Sequence, residues 1–341
     1  MSLKILTIGD PHSKRSNQPE IKECGDKIAQ KIKETEPNAV VILGDLADNH
    51  DRVYISSLHG TVYFIEAICT AAASLLKPAK VYYIIGNHDY ETNQCFLTEN
   101  HTFNAFKKWQ NFIVIDTVLR LKTQLGSVVM CPYTPPGRFV EALDTIGRDK
   151  WTDAMAIFCH QEFLGSKLNG LIASKVGDKW ETTNPLVISG HIHNYNRLQT
   201  NIIFVGAPMY HTFGEDLEAS RTISLFDFQS ASECEETRFD LGLPKKLTID
   251  LSIAEAQNYN PPENSHVRLN LTGTTQEHNQ FKQTEKFAQL SQVVKIIPQI
   301  TDKIVIPKNF KRLGYIEILT QDCAKEDKLV QEALQEVLSV K

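Results

Sequence analysis

Five short polar clusters constrain this chain most, because each of them directly follows an apolar run. The clusters are Asp10-Pro11-His12, Gly44-Asp45, Gly86-Asn87-His88-Asp89, His160 and Gly190-His191-Ile192-His193. The apolar runs before them have the length and composition of buried strands. In layered α/β folds the ends of such strands converge on one edge, where functional sites form. The sequence therefore predicts an α/β fold with its functional residues gathered at one edge.

The residue types in these clusters indicate a metal site. Asp, Asn and His are the side chains that a hard-to-borderline divalent cation binds. Asp10 and His12 are two residues apart, as are His191 and His193, and residues i and i+2 of an extended chain point to the same side. Each pair is therefore expected to turn two ligands toward one pocket.

The third cluster combines two expected functions. Asn87 would supply a neutral carbonyl oxygen, and its neighbour His88 would point elsewhere, toward a substrate. The glycines at 44, 86 and 190 would allow sharp exits from the strands and close packing under the metals.

Each cluster alone has an ordinary explanation. A single DxH or GD is most often a turn, and a lone histidine such as His160 is more often a core or surface residue. All five clusters in this order are hard to attribute to chance. Moreover, five of the eleven histidines fall within them.

The order of segments supports a layered fold. Apolar runs at Lys4–Gly9, Ala39–Leu43 and Val81–Ile85 are separated by segments with helical spacing, which gives a β-α-β-α-β order. The next part is richer in strands, and two sheets flanked by helices would accommodate all of them. The further candidate strands are Ser127–Pro132, Ala154–His160, Leu186–Ser189, Ile202–Val205 and Thr222–Phe228.

The segment Leu241–Thr248 is predicted to be a domain border. Residues 1–240 would form the metal-binding domain, and residues 249–341 a small α+β capping domain. In the cap we expect strands at His266–Leu271 and Val293–Ile297. We expect helices at Gln280–Leu290 and Lys325–Val340.

Composition narrows the class of protein. The net charge of −5 means that any contact with nucleic acid must use a local basic patch or metal ions. The start of the chain lacks the apolar core of a signal peptide, and no apolar run is long enough to span a bilayer. Seven cysteines without a framework, and without a CxxC motif, indicate reduced thiols, an intracellular protein and no thiolate zinc.

The ordered clusters resemble the pattern of the calcineurin-like metallophosphoesterase superfamily, which is DxH, GDxxD/H, GNHD/E, a lone His and GHxH. The resemblance implies a four-layer αββα sandwich with a small C-terminal cap. It also implies two divalent ions, with manganese expected and magnesium, iron or zinc as alternatives. One ion would be held by Asp10, His12, Asp45 and His193, and the other by Asp45, Asn87, His160 and His191.

Within the superfamily the chain is most similar to the DNA-repair nucleases of the SbcD and Mre-eleven type, including the phage recombination endonuclease subunit. The segments that carry this similarity are ILTIGDPHSK, FCHQEFLG, IIFVGAPMYHTFGED and HVRLNLTGT. The resemblance implies a manganese-dependent nuclease of DNA repair or recombination, with double-strand exonuclease and single-strand endonuclease activity.

Three further residues are candidates for catalysis. By the resemblance, His88 is the general acid or charge stabiliser at the leaving group. Asp89 would hold the other ring nitrogen of His88, or would instead cap the start of a helix. Asp48 stands where many SbcD-like nucleases carry His, and we expect it to hold a histidine that lies behind the metal ligands or to help shape the site. His50, two residues on, is a substitute that the sequence leaves open.

The expected macromolecular partners are DNA, an ATPase and a second copy of the chain. Lys14-Arg15, Lys107-Lys108 and a group around Phe310 (Lys308, Lys311 and Arg312) are candidate phosphate contacts, although each could be a solvated charge. The family forms homodimers through the region that here is Val53–Leu76, where Ile65, Ile68, Ala72 and Leu75 could equally pack against the sheet. An SbcC or Rad-fifty-like coiled-coil ATPase would dock on Lys325–Val340, unless that helix covers the cap.

Three alternatives remain open from the sequence. The chain could be a phosphoesterase for a smaller phosphodiester or a phosphoprotein, or a non-catalytic scaffold of the same fold. It could also be a nuclease that is silent on duplex DNA without its ATPase partner.

Overall fold

A computed structural model describes residues 2–48, 50, 52–168, 172–302 and 330 of the chain. The candidate cations Lys308, Lys311 and Arg312 lie outside the described residues, as does the predicted helix Lys325–Val340 apart from Val330. None of the described helices is long and apolar enough to cross a bilayer.

Strands predominate over helices in the described residues. The strands are β1 Leu3–Ile8, β2 Ala39–Ile42, β3 Lys80–Ile84, β4 Phe112–Ile115, β5 Leu119–Lys122, β6 Ser127–Cys131, β7 Ala156–Cys159, β8 Lys167–Leu168, β9 Ile172–Ala173, β10 Leu186–Ser189, β11 Asn196–Gln199, β12 Ile202–Phe204, β13 Thr222–Phe228, β14 Cys234–Asp240, β15 Lys245–Ser252, β16 Ser265–Gly273 and β17 Val294–Ile300. The α-helices are α1 Gln18–Thr35, α2 Ile55–Ala73, α3 Phe139–Asp144, α4 Arg148–Thr152, α5 Ile253–Ala256, α6 Thr275–Phe281 and α7 Glu285–Val293. Short 3-10 helices cover Asn87–Asp89 and Asn104–Lys108.

The first sheet has the strand order β14-β13-β1-β2-β3-β4. Strands β1 to β4 are parallel, and β13 pairs antiparallel with both β1 and β14. Its outer face is covered by α1 and α2, because α1 buries a stripe of apolar residues at helical spacing. The stripe is Ile21, Cys24, Ile28 and Ile32, which are the residues whose spacing predicted this helix.

The second sheet has the strand order β11-β12-β10-β7-β6-β5. Its outer face packs against α3 and α4 through an aromatic cluster that includes Phe139, Trp151, Phe163 and Trp180. Alternate residues of the strands face inward, because successive side chains of a strand point to opposite faces.

The inward residues of both sheets form one shared core. The first sheet contributes Ile5, Val41, Leu43, Ile84, Phe226 and Phe228, and the second contributes Val128, Met130, Phe158, Ile188 and Ile203. The layers therefore run helix, sheet, sheet, helix, and the predicted αββα sandwich is confirmed.

A third, fully parallel sheet (β15-β16-β17) follows in the chain, with α5, α6 and α7 on its own apolar core. Two details differ from the sequence interpretation. The predicted helix Gln280–Leu290 is two helices, because Thr284 caps a new helix by accepting from the Phe287 amide. Strand β15 begins at Lys245, within the segment that was interpreted as a border, since its alternating pattern fits a small half-exposed sheet.

The third sheet contacts the sandwich near the metal-motif edge. Lys246 Nζ lies 2.8 Å from a carboxylate oxygen of Glu20 in α1. The Thr248 hydroxyl donates to the carbonyl of Phe213, in the segment that follows β12. This sheet therefore supports a loop that leads into the candidate site.

Candidate metal centre

The loops after β1 and β2 are joined by backbone hydrogen bonds. The His12 amide donates to the Asp45 carbonyl at 2.9 Å, and the Ser13 amide donates to the Leu46 carbonyl at 2.7 Å. These contacts bring the first two motifs together at the carboxyl ends of their strands. The motifs after β3, β7 and β10 reach the same edge, as the contacts below show.

The backbone in these motifs is unusual. Asp10, His12, Asp45 and His191 all have left-handed conformations, with φ of 43°, 48°, 52° and 76°. Such a conformation costs an L-residue roughly 1–2 kcal/mol, and it is typically found where the chain shapes a functional site. The expectation that Asp10 and His12 share a side because the chain is extended is therefore wrong, since a tight loop positions them.

Two glycines allow the close packing beneath these side chains. A Cβ on Gly44, which has a φ of +96°, would lie 2.6 Å from His160 Nδ1. A Cβ on Gly190 would lie 2.5 Å from the Leu43 carbonyl oxygen. No larger residue fits either position without displacing the site.

One group of side chains, which we call the inner cluster, consists of Asp45, Asn87, His160 and His191. The Asn87 side-chain oxygen lies 3.0 Å from His160 Nε2 and 2.9 Å from His191 Nδ1. These two ring nitrogens are 3.2 Å apart, and Asp45 Oδ2 is 3.3 Å from His160 Nε2. Four donor atoms from four motifs thus converge on one point.

A second group, which we call the outer cluster, consists of His12, His193 and His211. The Nε2 atoms of His12 and His193 are 3.1 Å apart. The ring of His211 lies 4.9 Å from each of the other two rings, measured between centroids. One ring nitrogen of each histidine lies within 4.8 Å of the others.

Asp45 contacts both clusters, and Asp10 lies beside the inner cluster. Asp45 Oδ2, which contacts His160, is also 3.7 Å from His12 Nε2. The Asp10 carboxylate accepts a hydrogen bond from the His191 amide at 2.9 Å, and it can join Asp45 and His160 around a common ion. The structure thus brings all seven predicted metal ligands to one place.

The spacing of these atoms fits divalent ions. Ligands that are each about 2.0–2.2 Å from a metal lie roughly 3.0–3.5 Å from one another. The inner-cluster distances quoted above all fall at or near this range. The donor set of imidazole nitrogens, carboxylates and one amide oxygen suits manganese, iron or zinc.

The electrostatics also favour a cation. Burial opposes ionisation of Asp45, but the His160 imidazole outweighs it and holds the pKa of Asp45 below its usual range. Burial likewise opposes a charge on His160, yet the Asp45 and Asp10 carboxylates raise the pKa of His160 to about 9. Burial lowers the pKa of His193 and His211, so these imidazoles offer neutral nitrogens.

Asp89 has a different function from the one predicted. Its buried carboxylate accepts hydrogen bonds from the amides of Asp45, Ala47 and Gly86 and from the Tyr83 hydroxyl. The Asp89 carboxylate therefore binds the loop that carries Asp45 and caps the short helix that begins after Gly86. The His88 ring instead contacts the Asp48 carbonyl oxygen. This corrects the expectation that Asp89 holds His88, and it matches the capping alternative.

His88 lies beside the outer cluster. Its amide donates to Asp45 Oδ1 at 2.9 Å, its Nδ1 lies 2.8 Å from the Asp48 carbonyl oxygen, and its ring makes an edge contact with the His12 ring. The His50 ring stacks on His88 with a centroid distance of 4.8 Å. The histidine that the sequence left open is thus placed next to His88.

Asp48 contacts His12 and Lys14. One carboxylate oxygen lies 3.3 Å from His12 Nδ1 and 3.1 Å from Lys14 Nζ. These two partners, opposed by burial, hold the pKa of Asp48 at about 2. The expected partner was a histidine behind the ligands, but the structure places Asp48 against His12, one of the predicted ligands themselves. Carboxylates commonly lie beside metal-bound histidines in this way.

A cleft of about 440 Å³ opens over the outer cluster. It is lined by His12, Lys14, Asp48, His88, Lys167, His193, Asn194, His211, Thr212, Gly214, Glu215 and Asp216. Of the predicted DNA contacts, Lys14 lies in this cleft and Arg15 lies over the ring of Tyr54. Lys107 pairs with Asp116 and Glu99, and Lys108 is exposed on the same short helix.

The region expected at a dimer interface is largely used within the chain. Ile65, Ile68 and Ala72 are fully buried against α1 and the first sheet, and Leu75 is partly buried there. The exposed apolar residues of this region are Val53, Tyr54, Ile55, Tyr63 and Leu76. Ordinary packing therefore explains the four residues singled out from the sequence.

Sequence reasoning missed His211 and the residues that hold it, Glu215 and Arg221. The segment IIFVGAPMYHTFGED was given above only for its similarity to the nucleases, without a function for its histidine. A histidine that directly follows an apolar turn was the available signal.

Comparison with known proteins agrees with this geometry. Residues 3–195 match the calcineurin-like phosphoesterase family. The chain is 36% identical over 289 residues to "Putative phosphoesterase 244L" of Invertebrate iridescent virus 6. This alignment covers 83% of this chain and 98% of that protein. It is also 36% identical over 329 residues to "Putative phosphoesterase 078R" of Invertebrate iridescent virus 3. This alignment covers 94% of this chain and 91% of that protein.

Among solved structures, the protein described as "GAP50 the anchor in the inner membrane complex of Plasmodium" aligns with a TM-score of 0.45 and 13% identity. The alignment covers 92% of this chain and 99% of that chain. This similarity is too low to support an inference about function. The family match, which spans more than half of the chain, and the two viral relatives at 36% identity are sufficient: the chain belongs to the calcineurin-like phosphoesterase family.

Proposed function

We propose that this metallophosphoesterase is a two-metal nuclease of the SbcD and Mre-eleven type, which hydrolyses phosphodiester bonds in DNA during repair or recombination. The observation that carries the two-metal part is the convergence of inner and outer clusters on Asp45, whose Oδ2 approaches both His160 and His12. The inner ion would be held by Asp45, Asn87, His160 and His191. The outer ion would be held by His12, Asp45 and His193. The resemblance also assigns Asp10 to this ion, although the contacts of Asp10 among the described residues are with His160 and the His191 amide.

A pair of divalent ions, with manganese as the expected metal, supplies Lewis acidity and a water of lowered pKa when bound. The protein's own contribution is to orient the phosphodiester in the cleft. His88 lines this cleft and is held by Asp48 on one side and by the stacked His50 ring on the other. We assign to His88 the donation of a proton or hydrogen bond to the leaving oxygen.

The cleft also contains cations that could bind the phosphate backbone. Lys14 and Lys167 line it together with His88 and the three histidines of the outer cluster. Phosphate contacts of this kind position nucleic acid without reading its sequence. We propose Lys14 and Lys167 as the DNA contacts nearest the site.

One observation favours a smaller substrate as the second candidate. Lys14 is paired with Asp48, and Lys107 is paired with Glu99 and Asp116, so two of the predicted DNA cations are already neutralised within the chain. A cleft of about 440 Å³ is also of a size that a small phosphodiester would fill. The second candidate is therefore a phosphodiesterase for a small diester.

The assembly follows from the nuclease proposal. We propose that residues 1–240 are the catalytic domain and that the capping domain, predicted to span residues 249–341, also includes the start of β15 from Lys245. A homodimer would use the exposed residues Val53, Tyr54 and Ile55 rather than the buried face of α2. An SbcC or Rad-fifty-like ATPase remains the proposed partner of the C-terminal segment.

The decisive experiment is manganese-dependent cleavage of an end-labelled DNA duplex by wild type and by His88→Ala. We expect wild type to degrade the duplex, and we expect the variant to lose cleavage while it still binds manganese. Full activity of His88→Ala would contradict the function given to His88.

A chromogenic phosphodiester assayed in parallel separates the two candidates. Cleavage of the diester together with DNA supports the nuclease. Cleavage of the diester without any cleavage of duplex or single-stranded DNA would favour the enzyme for small diesters.

A further inference from the structure

We propose that His211 is an additional metal ligand, so that three imidazoles, His12, His193 and His211, hold the outer ion. This inference rests on the proposed two-metal function. It goes beyond it by adding a ligand that none of the five ordered motifs contains. It also predicts which metals the outer position prefers.

The first observation is that the His211 ring is buried without a hydrogen-bond partner. Only 7% of the residue is exposed, and neither ring nitrogen has a partner among the residues that the structure describes. Buried polar atoms in native proteins almost always have a partner, because an unpaired one loses its hydration without compensation. A cation at the centre of the outer cluster would bind one of these nitrogens.

The second observation is the arrangement of the three rings. His12, His193 and His211 meet in pairwise edge contacts, with every centroid distance at 4.9 Å. One nitrogen from each lies within 4.8 Å of the others. Ligands about 2.1 Å from an ion lie roughly 3.0 Å apart when adjacent and roughly 4.2 Å apart when opposite. The 3.1 Å between the Nε2 atoms of His12 and His193 fits one ion, and the His211 nitrogen, within 4.8 Å of both, reaches the same ion with a small shift of its ring.

The third observation is that the backbone of His211 is held firmly beside that of His193. One carboxylate oxygen of Glu215 accepts from the His211 and Thr212 amides at 2.9 and 2.8 Å. The other oxygen binds Arg221, which also donates to the His193 carbonyl. A buried ion pair thus connects two of the three proposed ligands and fixes their separation.

The third sheet also contacts the loop that carries His211. The Thr248 hydroxyl donates to the Phe213 carbonyl at 2.9 Å, and the guanidinium of Arg268 lies over the Phe213 ring. Loops that carry metal ligands are commonly supported in this way, because a preorganised ligand binds more tightly. The C-terminal unit would therefore contribute to metal binding without supplying a ligand.

A third imidazole has a chemical consequence. Nitrogen donors raise the affinity of a site for cobalt, nickel and zinc more than for manganese. The outer position should therefore select later transition metals more strongly than the inner position. Removal of His211 should reduce this preference as well as the affinity.

The test is titration of the metal-depleted full-length chain with cobalt and, separately, with manganese, followed by calorimetry and by the visible absorption of bound cobalt. The variants are His211→Ala and His211→Gln, since glutamine fills more of the space if alanine destabilises the fold. The control is His59→Ala, which removes an exposed imidazole from α2. Circular dichroism checks that each variant is folded.

For both His211 variants we expect cobalt affinity at one of two positions to fall by about 10-fold or more, with a smaller fall for manganese and an altered cobalt spectrum. His59→Ala should match wild type. If both cobalt ions bind the His211 variants as in wild type while the KM for a chromogenic diester rises, His211 contacts substrate and the inference is wrong. If wild type itself binds no cobalt, the two-metal proposal fails as a whole.

Discussion

The inner cluster combines a carboxylate, an amide and two imidazoles, the outer cluster consists of three imidazoles, and the two also differ in the contacts that their side chains make. In the inner cluster, Asn87, His160 and His191 contact one another at 2.9–3.2 Å, and His160 is fully buried. In the outer cluster, His211 has no hydrogen-bond partner among the described residues, and all three histidines line the cleft. The ligands of the inner cluster therefore contact one another, whereas the outer cluster faces the cleft where a substrate would enter.

This difference indicates a division of function. The inner half is expected to hold its ion tightly and to contribute to stability, because it is surrounded by the shared core and by close-packed glycines. The outer half is expected to exchange its ion more readily and to meet the phosphate first. Substitutions in each half test this division.

The largest effect is expected from Asp45→Ala, because Asp45 contacts both clusters. We expect both ions to be lost and hydrolysis of a chromogenic diester to fall by about 10³-fold or more. Metal content by mass spectrometry and the rate of hydrolysis measure this, with Asp250→Ala on the third sheet as the control. A variant that retains one tightly bound ion would show that the clusters do not share this carboxylate.

Gly44→Ala should destabilise the inner half. The new methyl group would lie 2.6 Å from His160 Nδ1, at a residue with a φ of +96°. We expect the free energy of unfolding to fall by about 2–3 kcal/mol in urea denaturation. Gly214→Ala is the matched control, since no atom lies within 4 Å of its added Cβ. Equal stability of the two variants would contradict the close packing described for the inner cluster.

Asp48→Asn should affect only the outer half, because Asp48 contacts His12 and none of the inner ligands. We expect the affinity for one of two cobalt ions to fall by about 10–100-fold while the other is unchanged. Lys14→Ala, which leaves the contact between Asp48 and His12 in place, is the comparison and should have a smaller effect. Equal losses at both positions would mean that the two halves are not independent.

The smallest effects are expected from the surface cations. Lys167 lines the cleft, whereas Lys107 is engaged by Asp116 and Glu99. Binding of DNA is measured by fluorescence anisotropy at several salt concentrations in a His88→Ala background. Lys167→Ala should reduce the slope of log affinity against log salt concentration by about one, as expected for one lost phosphate contact. Lys107→Ala should leave it unchanged. A larger effect of Lys107 would place the DNA path away from the outer cluster.

The sequence predicted the sandwich and the edge where the motifs meet because these depend on local signals. Buried strands such as Ala39–Ile42 are apolar throughout, and the polar residue after each strand marks its carboxyl end. Strand β14 was missed, because its residues alternate between half-buried and exposed at the edge of the first sheet. Its polar composition resembles that of a loop.

Within the site, residue types were easier to predict than conformations and contacts. The left-handed backbones of Asp10, His12 and Asp45 are imposed by the joined loops, and nothing in the sequence specifies them. The correct function of Asp89 depends on amides from Asp45 and Ala47, more than forty residues earlier. His211 reaches the site only because β12 lies beside β10 in the second sheet.

The proposed centre holds two ions that share Asp45 between an inner and an outer set of ligands. Anomalous diffraction from crystals of the full-length chain grown with manganese tests it most directly. We expect two peaks per chain, with Asp45 between them. The inner peak should lie among Asn87, His160 and His191, and the outer peak beside His12 and His193. A single peak, or a second peak away from His12 and His193, would contradict it.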